Sequence, residues 1–239
     1  MAMIADNLQQ VHARVAAACA QAQRPVRSVT LLVVSKTFGA DAVREAAAAG
    51  ERRFGENYVQ EGVDKIAALA DLRAQLEWHL IGPLQSNKTR VVAEQFDWVH
   101  SVDRLKIAQR LSEQRPAHLA PLQVCLQVNT SFETSKSGLR PGEVPDLARA
   151  VAALPRLALR GLMAIPEPAE GFEAQCVPHR ALRELMQALQ AQGLPLDTLS
   201  MGMSADLEAA IAEGATMLRI GSAIFGARPV AASRRPAST

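Results

Sequence analysis

A chain of 239 residues, 49% hydrophobic and 21% charged, can bury one large core and is excluded from the disordered class. The balance of 26 Lys+Arg against 24 Asp+Glu gives a net charge of +2, and the basic residues lie scattered among acidic ones without aromatic interleaving, so nucleic acid is not an expected partner. Cys19, Cys125 and Cys176 are odd in number, far apart and without a Cys-x-x-Cys pair, and no stretch approaches the about 20 apolar residues of a membrane span. Neither a disulfide framework nor a zinc site is suggested, no membrane partner is expected, and a reducing, cytoplasmic setting fits best.

In chain order, residues 3–23 carry Ile4, Leu8, Val11 and Val15 at helical spacing and predict an amphipathic helix packed outside a sheet, with His12 and Cys19 as structural residues. The run Thr30-Leu31-Leu32-Val33-Val34-Ser35 reads as a buried strand that ends at Lys36, and residues 41–49 follow as a helix closed by Gly50. Comparable runs recur near 52–55, 77–81, 97–101, 122–129, 157–164, 197–200 and 216–220, most of them followed by a segment of helical period. Eight strands alternating with helices over this length predict an α/β fold, a single (β/α)8 TIM barrel over residues 1–228. Ser204 is the expected N-cap of a late helix, and residues 229–239 read as a flexible C-terminal tail.

Parallel strands bring all their C-terminal tips to one rim, where such barrels carry their chemistry. Lys36 stands at the first tip, where desolvation can lower an amine pKa and free it to form a Schiff base; the alternative is a snorkelling surface lysine. The second tip carries Gly55-Glu56-Asn57-Tyr58 and the third has His79 close to the rim, followed by Gly82-Pro83-Leu84-Gln85-Ser86-Asn87-Lys88. Gly202 and Ser204 at the seventh tip, with Gly221 and Ser222 at the eighth, resemble an anion cradle of close backbone, N–H groups and hydroxyls. Arg219 interrupts the apolar strand Met217-Leu218-Arg219-Ile220 and needs a partner, either an acceptor on a bound heteroaromatic ring or an acid such as Glu56. A Schiff-base lysine, a phosphate cradle and such an arginine match the three handles of pyridoxal 5′-phosphate (PLP).

The motifs Val34-Ser35-Lys36-Thr37, Phe54-Gly55-Glu56-Asn57-Tyr58-Val59-Gln60-Glu61, Trp78-His79-Leu80-Ile81-Gly82-Pro83-Leu84-Gln85-Ser86-Asn87-Lys88, Gly161-Leu162-Met163, Ser200-Met201-Gly202-Met203-Ser204 and Arg219-Ile220-Gly221-Ser222 resemble, across nearly the whole chain, the pyridoxal phosphate homeostasis proteins of the YggS/PROSC family. The resemblance implies a barrel similar to the N-terminal domain of alanine racemase that holds PLP in vitamin B6 homeostasis, with no catalytic residue and no metal. It makes Lys36 the aldimine lysine and Arg219 the pyridine-nitrogen partner. Ser204, Gly221 and Ser222 become phosphate ligands with Ser200 beside them, and Asn57 and Met163 line the ring pocket. Met201 and Ser222 stand where relatives often have Leu and Thr, and Ser222 keeps the hydroxyl. Apo PLP-dependent enzymes are the candidate recipients, and a monomer is implied.

Two other readings stay open at this level. A PLP-dependent amino-acid racemase needs a second acid/base on the opposite ring face, and Tyr58 is the chain's single tyrosine. A class I aldolase also uses a barrel lysine and a phosphate cradle, but leaves Arg219 without a purpose. His100, His118 and His179 show no ligand spacing and read as structural or exposed, while Lys88 and Lys136 read as surface lysines or secondary PLP contacts. The Gln85–Lys88 stretch is either a helix start or a protein contact.

Overall fold

The computed structural model describes residues 2–131 and 137–226. The tail expected over 229–239 and Lys136 lie outside them. Eight strands close into one parallel barrel in sequence order: β1 (Thr30–Val34), β2 (Arg53–Glu56), β3 (Glu77–Leu80), β4 (Trp98–Val102), β5 (Leu122–Gln127), β6 (Leu157–Met163), β7 (Thr198–Ser200) and β8 (Met217–Ile220). Each expected strand is present, with ends displaced by no more than two residues. Closure is made by β1 on β8, with Leu32 opposite Arg219 and Val33 opposite Ile220, so the tips of β7, β8 and β1 are neighbours.

Helices α1 (Ala2–Gln21), α2 (Ala40–Ala48), α3 (Val59–Ala68), α4 (Thr89–Gln95), α5 (Leu105–Gln114), α6 (Val144–Ala152), α7 (Phe172–Ala191), α8 (Leu207–Ala212) and α9 (Ser222–Phe225) form the outer layer. The main core lies between this layer and the sheet, because alternate strand residues such as Val33 and Phe54 point outward onto the helices. Intervening residues fill the barrel itself, where Leu32, Val34, Ile81 and Met217 form one cluster and Trp98, Cys125 and Met163 another. The three cysteines are buried and free, and burial pushes the Cys125 thiol up to about 12, so it is inert.

Helix α1 buries Ile4, Leu8, Val11 and Val15, as its period requires, and lies against α2, α8 and α9. It thus laces the last elements of the barrel to the first. Arg14 on this helix donates to the Ser204 carbonyl at 2.7 Å and pairs with Glu208, so α1 also steadies the seventh rim loop. Ser204 is not a helix cap. Helix α8 begins at Leu207 with Asp206 as its N-terminal neighbour, whose carboxylate accepts from Met203 N–H at 2.7 Å and from His179 Nε2 at 2.9 Å. Those two donors hold the Asp206 carboxyl low against its desolvation, and the helix starts two residues later than the serine suggests. No helix of the described residues is long and apolar enough to cross a membrane.

Candidate functional site

Beyond the C-terminal ends of β1, β2, β3, β7 and β8 lies a cavity of about 340 Å³, within the size range of small-molecule sites. Lys36, Asn57, Ser204, Arg219, Gly221 and Ser222 all line it, and Val34, Phe38, Ile81, Ile165 and Met203 supply an apolar wall. Phe38 is held by stacking on Phe225 at 4.9 Å between centroids. Val34 and Ile81 come from the ends of the expected strand runs, whereas Phe38, Ile165 and Met203 come from loops whose spacing carries no period.

Lys36 is fixed from outside the barrel. Its neighbour Ser35 is buried; the hydroxyl donates to Glu56 Oε1 at 2.5 Å, and the carbonyl accepts from Lys65 Nζ at 2.7 Å. Lys65 also reaches Glu56 at 2.7 Å and Glu61 at 2.8 Å, and Glu61 accepts from Thr37 N–H at 2.5 Å. Residues on both sides of Lys36 are therefore pinned to one ionic knot under α3. Thr37 adopts φ 69°, a costly conformation for a β-branched residue, and the knot is what maintains it. Burial pushes the Glu56 carboxyl up despite the pull of Lys65 and Ser35.

Arg219 is buried on the cavity floor. Its guanidinium donates to Ser200 Oγ at 2.8 Å and to the Ala164 carbonyl at 2.7 Å, and burial lowers its pKa to about 10, which leaves it cationic at neutral pH. Glu56, the structural partner considered for it, faces the outer layer and pairs with Lys65 instead. Ser200 and Met163 do not belong to the cavity wall. Strand alternation puts them one layer down, Ser200 under Arg219 and Met163 against Trp98 and Cys125. Gly202 is likewise structural: its φ of +92° and the 2.5 Å separation of a Cβ there from Ala210 Cβ admit no side chain.

Asn57 reaches the cavity with the loop after β3 packed unusually close against its backbone. A Cβ on Gly82 would lie 2.0 Å from the Asn57 carbonyl oxygen, so only glycine fits. Gly82→Ala therefore pushes the Asn57 backbone off its position; we expect a stability loss of about 1–3 kcal/mol and weaker ligand binding at the rim. Thermal melts and ligand titrations of this variant check both. A second cavity of about 490 Å³ adjoins the first, sharing Asn57, Ile81, Ile165 and Met203.

His79 is not at the rim. It is fully buried inside the barrel, hydrogen-bonded to Glu77 and to His100, which is also fully buried. Their signal in the sequence is a polar residue beside apolar neighbours, Trp78-His79-Leu80 and Val99-His100, like that of Arg219 between Leu218 and Ile220. Tyr58 is 61% exposed before α3 and does not line the cavity, and Lys88 is exposed in the short 3-10 turn Ser86–Lys88 that leads into α4. Among the described residues no cluster suits a metal ion.

The donor set is chemically specific. It offers an amine, a donor-only cation on the floor, and two hydroxyls with a close-approach glycine at the tips of β7 and β8. A planar molecule bearing a carbonyl, a ring acceptor and an anionic group fits that set. Over residues 7–229 the chain matches the family "Alanine racemase, N-terminal domain". It is 63% identical over 228 residues to the pyridoxal phosphate homeostasis protein of Pseudomonas aeruginosa, covering 95% of this chain and 97% of that one. It is 56% identical over 226 residues to the protein of that name from Escherichia coli K12, covering 94% and 97%. Among solved structures, PipY of Synechococcus elongatus with PLP bound superposes with a TM-score of 0.80 at 40% identity, over 93% of this chain and 100% of that one. Alanine racemase of Corynebacterium glutamicum, at 18% identity and a TM-score of 0.69 over 96% of this chain and 62% of that one, shares the fold.

Proposed function

The chain belongs to the alanine racemase N-terminal domain family and, within it, to the pyridoxal phosphate homeostasis proteins, and from that membership we propose that it holds PLP at the C-terminal mouth of its barrel. It is a PLP-binding protein of intracellular vitamin B6 homeostasis. The observation that carries the site assignment is the meeting of Lys36, donor-only Arg219 and the Ser204–Gly221–Ser222 cradle on one small cavity.

PLP supplies an aldehyde that condenses with an amine and a ring that serves as an electron sink when its nitrogen is protonated. Lys36 is the amine that would meet the aldehyde. Ser204, Ser222 and the Gly221 backbone would take the phosphate, and Asn57 the ring edge. Arg219, which donates and cannot accept, would face the ring nitrogen as a donor and keep it unprotonated, so this chain's residues hold the cofactor without strengthening the sink. That favours a reservoir over a racemase, as does the place of Tyr58, which brings no phenol to the cavity. We propose a cytoplasmic monomer that passes PLP to apo-enzymes; its three buried free thiols suit a reducing compartment.

Titration of the protein with PLP is expected to raise a visible Schiff-base band that inorganic phosphate suppresses by competition. L-alanine incubated with the loaded protein should keep its configuration. Strong racemisation that disappears in Lys36→Ala would instead make the chain a racemase.

A further inference from the structure

A continuous line of polar side chains crosses the inside of the barrel from one mouth to the other. Glu77, the first residue of β3, sits at the N-terminal mouth with Arg53 and Arg160 and is 39% exposed. Its Oε1 lies 2.8 Å from His79 Nε2, His79 Nδ1 lies 2.9 Å from His100 Nε2, and His100 Nδ1 lies 2.8 Å from Ser200 Oγ. Arg219 closes the line on Ser200 Oγ at 2.8 Å and reaches the cavity at the other mouth. His79 is further fixed by stacking on Trp98, 5.2 Å between centroids at 13°.

The chemistry of the two ends sets every proton in between. Although burial works against it, the His79 contact holds the Glu77 carboxyl low, and burial pushes both imidazoles down, His100 well below the usual histidine value. An ionised Glu77 can only accept, so His79 carries its proton on Nε2 and presents a bare Nδ1. His100 must then donate from Nε2, and its bare Nδ1 accepts from the Ser200 hydroxyl. The Ser200 oxygen is left to accept from Arg219, which can only donate. All four hydrogen bonds therefore run in one direction, from Arg219 down to Glu77.

We infer that Glu77, His79, His100 and Ser200 are positioning residues for Arg219, a one-directional hydrogen-bond relay through the barrel that fixes its guanidinium as the donor that would meet the cofactor's ring nitrogen. The final link rests on the PLP reading; the other links stand on the protein alone. Nitrogen-15 NMR of the histidine rings in cofactor-free protein is expected to find His79 and His100 neutral and protonated only on Nε2. A proton on Nδ1 of either ring overturns the relay.

With ¹⁵N-labelled PLP bound, Glu77→Leu and Ser200→Ala should both move the ring-nitrogen signal while the Schiff-base band remains, and Ser200→Ala should weaken PLP binding about 10-fold. Glu77→Gln, whose side-chain carbonyl still accepts from His79, should restore the wild-type signal. An unchanged ring nitrogen in both Glu77→Leu and Ser200→Ala would overturn the coupling to the cofactor. Wild-type protein that forms no band at all would sink the PLP reading, and the histidine tautomers would then decide the relay by themselves.

Discussion

Lys36→Ala leaves the barrel folded and removes the visible Schiff-base band completely. The side chain lies on the cavity wall beyond β1, so truncating it opens space without disturbing the layer of Leu32, Val34, Ile81 and Met217 beneath. The remaining donors at Arg219, Ser204 and Ser222 are untouched, so PLP should still bind weakly and without covalent attachment, displaceable by inorganic phosphate. Difference spectra with circular dichroism as a fold control measure this. A full band persisting in the alanine variant would move the amine to another lysine.

Lys65→Met has the largest expected effect on stability. It removes the cation from the buried knot and leaves Glu56 without its ionic partner, for which a loss of about 3–5 kcal/mol is expected, or roughly 6–20 °C in Tm for a domain of this size. The pH dependence has a definite sign. Burial already raises the Glu56 carboxyl, and loss of Lys65 raises it further, so the folded state binds a proton more tightly than the unfolded chain. Stability of the variant is then retained in acid and lost as pH rises from the ordinary carboxylate value through the raised one. Melts at pH 5 and pH 8 should show the larger deficit at pH 8. Because Lys65 and Ser35 hold the tip of β1, the variant should also form its Schiff base less completely. An equal Tm deficit at both pH values would mean that Glu56 finds another partner.

The barrel was legible because strands buried on both faces read as unbroken apolar runs, and the strand count with chain length leaves few other closures. The rim followed from topology alone: once β1, β7 and β8 are parallel neighbours, Lys36, Ser204, Gly221 and Ser222 must converge. Reading residues by proximity in sequence misled where the pleat matters. Ser200 and Met163 end their strands a layer below the cavity, whose wall begins further along the chain at Ile165 and Met203, and the N-cap place expected of Ser204 is taken by Asp206, whose carboxylate is engaged by Met203 and His179. The sequence places His79 near the rim and leaves His100 without ligand spacing, and neither reading brings the two rings together. Their meaning lies in cross-strand contact, which spacing along one strand does not encode.

Borohydride reduction of the wild-type protein with PLP, followed by peptide mapping, bears most directly on the central claim. The account predicts one pyridoxyl group per chain, carried by Lys36. Label distributed over Lys88 and other surface lysines, or none on Lys36, would contradict it and turn attention to a phosphorylated sugar as the molecule this cavity receives.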